Sequence, residues 1–180
     1  MQRVVVGSLV VLAALSVAAP APAQDSKSAA LAKELAATLE AVKLDSIAAK
    51  DPSSPDTFVA ALYFPGLQLL VVSAKYTAPQ LLNDRLAKKE YRDTYIDLSS
   101  ASVPATKVFI EDLGADGLKA KHEDNKGADT FELAGARTVF DGDWKRQKLA
   151  EADYMKTFST ADDRYAQMLT ALVAQAKKTK

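Results

Sequence analysis

TFVAALYFPGLQLLVVSAKY, residues 57–76, holds two apolar runs of strand length split by Pro65-Gly66. Read alternately, one face of the second run carries Leu67, Leu69, Val71, Ser73 and Lys75. The other carries Gln68, Leu70, Val72, Ala74 and Tyr76. Strand residues alternate between faces, so a run apolar on both must be covered on both. The stretch therefore predicts a hairpin at the centre of the core, with other segments packed over it.

Upstream, Met1-Gln2-Arg3 is a short positive region and Val4 to Ala19 an uncharged apolar run. Small residues at Ala21 and Ala23 precede Gln24, which completes the plan of a secretory signal peptide spanning residues 1–23. The run is shorter than the roughly 20 residues of a membrane span. The expectation is a soluble mature chain, residues 24–180, in the bacterial periplasm or outside the cell. The chain has no cysteine, so an exported form must hold together without disulfides. Lys and Arg number 23, as do Asp and Glu. That balance, with no basic cluster among aromatics, argues against a nucleic-acid partner.

Ahead of the hairpin, Asp25 to Lys43 reads as a helix, with Ser26 or Ser28 as its cap and Leu31, Leu35, Leu39 and Val42 as its packing stripe. Leu44 to Ala49 reads as a first strand, with helix continuation up to Pro52 as the alternative. Beyond the hairpin, Pro79 suits the first position of a helix carrying Leu82 and Leu86. Alternation returns at Thr94–Leu98 and at Lys107–Leu113, and Gly114 to Gly117 turns the chain. Phe131–Leu133 and Thr138–Phe140 read as a small hairpin across Ala134-Gly135-Ala136. The C-terminal residues 149–178 are helical, as one helix or as two. Thr160 with Asp163 forms a plausible capping box, which favours a break.

Chemistry is less legible. His122 is the only histidine, and its charged surroundings predict a solvated loop residue with no triad partner. One His and no Cys leave no zinc site, and Asp141-x-Asp143 and Asp162-Asp163 lack the calcium-loop spacing. Glu111 and Asp112, adjacent on a strand, point to opposite faces and so form no acid–base dyad. Trp144, Tyr154, Phe158 and Tyr165 could line a ligand pocket or simply pack in the core. No catalytic constellation emerges.

The strand–turn–helix–strand unit LQLLVVSAKYTAPQLLNDRLAKKEYRDTYIDL, set in the wider order of elements over residues 39–118, resembles the pyridoxamine 5'-phosphate oxidase-like, FMN-binding split-barrel superfamily. The resemblance implies a six-stranded barrel that dimerises and holds FMN between subunits. It also implies phosphate contacts where the third strand meets the helix, which here are Ser73, Lys75 and Thr77. The second strand, Phe58 to Tyr63, carries no basic residue, and Ala78-Pro79-Gln80 stand where the family has more basic ones. The fold expected is α+β: a mainly antiparallel split β-barrel with flanking helices and a C-terminal helical segment. The function expected is a non-catalytic module binding a small ligand or a protein, with an FMN-binding oxidoreductase-like protein as the alternative. A homodimer is expected. Any small anionic ligand should sit at the turn before Pro79, near Lys75 and Thr77.

Overall fold

The structure is a computed structural model that describes residues 26–54, 57–75, 108–122 and 127–179. Helix α1 (Ala29–Ala41) leads into β1 (Ser46–Lys50) and β2 (Phe58–Phe64). One 3₁₀ turn, Pro65–Leu67, joins β2 to β3 (Leu69–Lys75). β4 (Val108–Leu113), β5 (Asp129–Leu133), β6 (Ala136–Phe140) and α2 (Glu151–Lys178) follow. The expected helix from Pro79, the strand Thr94–Leu98 and residue Thr77 lie outside the described residues, as does the segment 1–23.

The six strands form one open antiparallel sheet in the order β1-β2-β3-β4-β5-β6, so the fold class is α+β. The hairpin predicted from residues 57–76 is its middle. Pro65-Gly66 makes the turn, and Gln68 enters the left-handed region at φ 46° to redirect the chain. The register pairs Leu62 with Val71 and Phe64 with Leu69.

One face of the sheet carries the main core. Val59, Ala61 and Tyr63 of β2 share it with Leu70, Val72 and Ala74 of β3 and with Val108 and Ile110 of β4, all buried. α2 packs on this face across β1, β2 and β3, and α1 packs against α2. Leu35 and Leu39 of α1 and Tyr165, Met168, Leu169 and Leu172 of α2 are fully buried. Each buried Leu contributes roughly 1.5–3 kcal/mol through area removed from water.

At the start of α2 the aromatic residues settle into this core. Phe140 meets Tyr154 and Phe158 edge-on at 5.8 and 5.2 Å, and Trp144 lies 6.1 Å from Tyr154. Tyr154 Oη donates to Ala120 C=O at 2.7 Å and accepts from Gly142 N–H at 3.0 Å. Packing is thus the role these rings have in the structure.

Two local expectations need correction. Helix α2 runs unbroken through residue 160, because Thr160 Oγ1 donates back to Lys156 C=O at 2.9 Å. Its supposed box partner Asp163 pairs instead with Lys27 Nζ at 2.5 Å. The hydroxyl satisfies a carbonyl within the helix, so no N-cap forms there. Likewise Ser28 sits at the N-cap of α1 but makes no capping bond with its own side chain. The acceptor for that helix end comes from α2.

Candidate functional site

That acceptor is Asp162, buried in mid-helix. Its Oδ2 accepts from Lys27 N–H at 2.7 Å, and its Oδ1 accepts from Ser28 N–H at 3.0 Å and Ser28 Oγ at 2.6 Å. Ser28 Oγ in turn accepts from Leu118 N–H at 3.0 Å. A carboxylate at a helix N-terminus satisfies donors left over by the helix geometry and meets the positive end of its dipole. Asp162 therefore pins the start of α1 to α2 and, through Ser28, to the loop after β4.

The same loop is held from the sheet. Asp112 accepts from Asp116 N–H at 3.2 Å, Gly117 N–H at 2.9 Å and Tyr165 Oη at 2.9 Å. Asp129 accepts from Leu113 N–H at 2.9 Å and Lys119 N–H at 2.8 Å. Gly114 N–H reaches Gln68 C=O at 2.6 Å and Ala115 N–H reaches Asp112 C=O. Every N–H from residue 113 to 119 thus has an acceptor, which a buried backbone requires. Gly117 packs so closely on α1 that a Cβ there would lie 2.4 Å from Ala29 Cα, and its φ is +94°.

Asp112 and Asp129 have no exposed surface. Burial pushes the Asp112 carboxyl up to about 7, aided by the charge of Asp129 and opposed by the bonds from Gly117, Tyr165 and Asp116. Burial likewise pushes Asp129 up to about 7, against the bonds from Lys119 and Leu113. Tyr165 is raised well above its ordinary value, by burial first and then by Asp112. His122 Nε2 lies 3.4 Å from Asp129 Oδ2 and accepts from Asp129 N–H at 3.3 Å. The expectation of a solvated histidine is therefore overturned, since the side chain is about nine-tenths buried against a carboxylate. Among the described residues, no group of three or more acidic or histidine side chains is arranged to hold a metal ion.

The face of the sheet turned away from the helices has a different character. Leu62, Val71 and Phe109 form a second buried cluster there, with Phe64 and Leu69 packed against it. Toward β6 the face becomes polar. Glu111 Oε2 accepts from Thr130 Oγ1 at 2.5 Å and from Arg137 Nη2 at 2.7 Å. Glu111 and Asp112 do take opposite faces, one in this network and one beneath the helices. The register places Ser73 between Ala60 and Phe109, and Lys75 ends β3 paired with Phe58. The two sequence-derived site residues within the described set, Ser73 and Lys75, are thus two positions apart on β3, and Thr77 is outside that set.

Comparison with family models, with curated proteins and with solved structures gives no match for this chain.

Proposed function

We propose that this protein is an exported, non-catalytic binding module on a split-barrel fold, and that it takes its ligand or partner on the sheet face turned away from the helices. The observation that carries this reading is the seam on that face. The cluster Leu62, Val71 and Phe109 meets hydrogen-bonding side chains at Ser73, Glu111, Thr130 and Arg137. Ligand sites combine an apolar floor with a few placed polar groups in this way. Arg137, held to Glu111 yet half-exposed, has further donors for a carboxylate or phosphate. The carboxylates of the opposite face are engaged in holding the backbone.

A second reading, FMN binding, draws on Ser73 and Lys75, which the register sets beside Phe109 and Phe58. In sequence these positions carry a hydroxyl and a basic residue, types that suit a ligand ending in phosphate.

The test uses the mature protein with FMN and inorganic phosphate, each at about millimolar concentration, in thermal-shift and amide chemical-shift titrations. Saturation well above Kd should raise the midpoint by several degrees. The perturbed amides should be those near Ser73, Phe109, Thr130 and Arg137. Perturbations confined to the loop 113–119 would overturn the location. Absence of any shift with FMN would remove the flavin reading. The expected homodimer is checked by light scattering at micromolar concentration, where a monomer mass counts directly against it.

A further inference from the structure

We propose that Asp112 and Asp129 form a proton-operated latch on the loop 113–122: a proton taken up by the pair tightens the junction of this loop with α1 and α2, and its loss loosens it. The geometry is that of two buried acidic residues at the end of one strand ladder, each within the other's electrostatic reach. β4 and β5 pair Glu111 with Thr130, and one step further along the same register sets Asp112 opposite Asp129. Both lie fully buried on the helix side of the sheet. Like charges on neighbouring strands repel, and burial removes both groups from bulk solvent.

Among the described residues, their surroundings supply little positive charge. From β3, the residue paired with Asp112 is Leu70, and from β6 the residue paired with Asp129 is Phe140. From α2, Tyr165 offers a neutral hydroxyl, while Asp162 is turned to Lys27 N–H and Ser28. From the loop come Asp116, Lys119 and His122. Lys119 Nζ is half-exposed and bound to Asp116 at 2.6 Å. Among the described residues no Lys or Arg side chain is in ion-pair contact with either carboxyl. Two buried neighbouring carboxylates with no paired Lys or Arg among the described residues are relieved most directly by a proton.

Asp112 can take a proton and keep its bond to α2. Tyr165 Oη, now a donor, can rotate to accept from a protonated Asp112. A proton on Asp129 Oδ2 can be shared with His122 Nε2 3.4 Å away, the same atom that accepts from Asp129 N–H. The proton comes from solvent and returns to it. The loop transmits the state because Leu118 N–H rests on Ser28 Oγ, which rests on Asp162.

The sign follows from the raised carboxyl values. An unfolded Asp titrates near 3.9, whereas both groups in the folded chain titrate near 7. Between these values the folded state holds more protons. The stabilisation is therefore complete below the unfolded value and is lost as pH rises through the folded one.

The experiment is a thermal melt of the full mature chain from about pH 8.5 to about pH 5.5. The melting temperature should rise on acidification by roughly 5–10 °C. Asp112→Asn should remove about half of that slope, and Glu151→Gln, at the exposed start of α2, should leave it intact. After correction for intrinsic exchange, the Gly117, Leu118 and Lys119 amides should become more protected at the acid end. Carboxyl carbon NMR of the wild type decides the matter if Asp112→Asn does not fold, because two aspartates should titrate near neutrality. A flat or falling wild-type profile, an unchanged slope in folded Asp112→Asn, or all aspartates titrating below about pH 4.5 would overturn the latch.

Discussion

Asp162 shows how much of this molecule depends on single acceptors. It receives three bonds from the start of α1, two of them from backbone N–H groups. Asp162→Ala removes the acceptor and leaves those donors in a buried junction, a loss of about 2–4 kcal/mol. Urea unfolding monitored at Trp144 should show it as a lower midpoint with unchanged slope. Gly117→Ala should be comparably damaging for a different reason, since the new Cβ would run into the backbone of Ala29. Gly66→Ala meets nothing within 4 Å and is the matched control. None of this was legible from residue types. The pair Asp162-Asp163 is indistinguishable in sequence from solvated helix charges, and Ser28 looked like its own helix cap. Only the tertiary approach of α2 to α1 gives them roles. Asp112 and Asp129 were hidden similarly, because a facing pair 17 positions apart in sequence appears only once register is known. A signal did exist: Asp112 continues the apolar-facing positions Val108 and Ile110, so a charge stood where a core residue belongs.

At the scale of elements the pattern was easier to read. Residues 57–76 fixed a buried hairpin because both faces were apolar, and the structure buries Val71 as well as Leu70 and Val72. Boundaries moved where side chains could not announce hydrogen bonds, as in the strands Asp129–Leu133 and Ala136–Phe140, longer than the apolar triplets suggested. β6, the edge strand among the described residues, also carries a device invisible to patterning. Gln147 Oε1 accepts from Val139 N–H at 3.0 Å and its Nε2 donates to Val139 C=O at 2.6 Å. The side-chain amide thus occupies the place of a neighbouring strand and blunts an edge open to pairing. Gln147→Ala should cost only about 1 kcal/mol, since water replaces both bonds. It should nevertheless increase self-association, seen as a concentration-dependent rise in sedimentation coefficient. A variant as monodisperse as the parent would show that the amide does not guard the edge.

For the molecule as a whole, the two sides of the sheet should differ in what their residues do. The side under α1 and α2 holds the contiguous core, and the described chain has neither disulfide nor metal cluster to supplement it. Stability there rests on packed volume. Leu35→Ala, at a fully buried position of α1 within the main core, should lose about 2–5 kcal/mol from transfer and cavity terms together. Leu67, two-thirds exposed at the tip of the central hairpin, removes almost no area from water, so Leu67→Ala should stay within about 0.5 kcal/mol of the parent. The sequence alone did not separate these two leucines, since both stand in apolar surroundings. The pair of variants tests the placement of the core directly by chemical denaturation. Equal losses at the two positions would mean that the hairpin tip is packed in solution, and therefore that a second chain or another segment covers it.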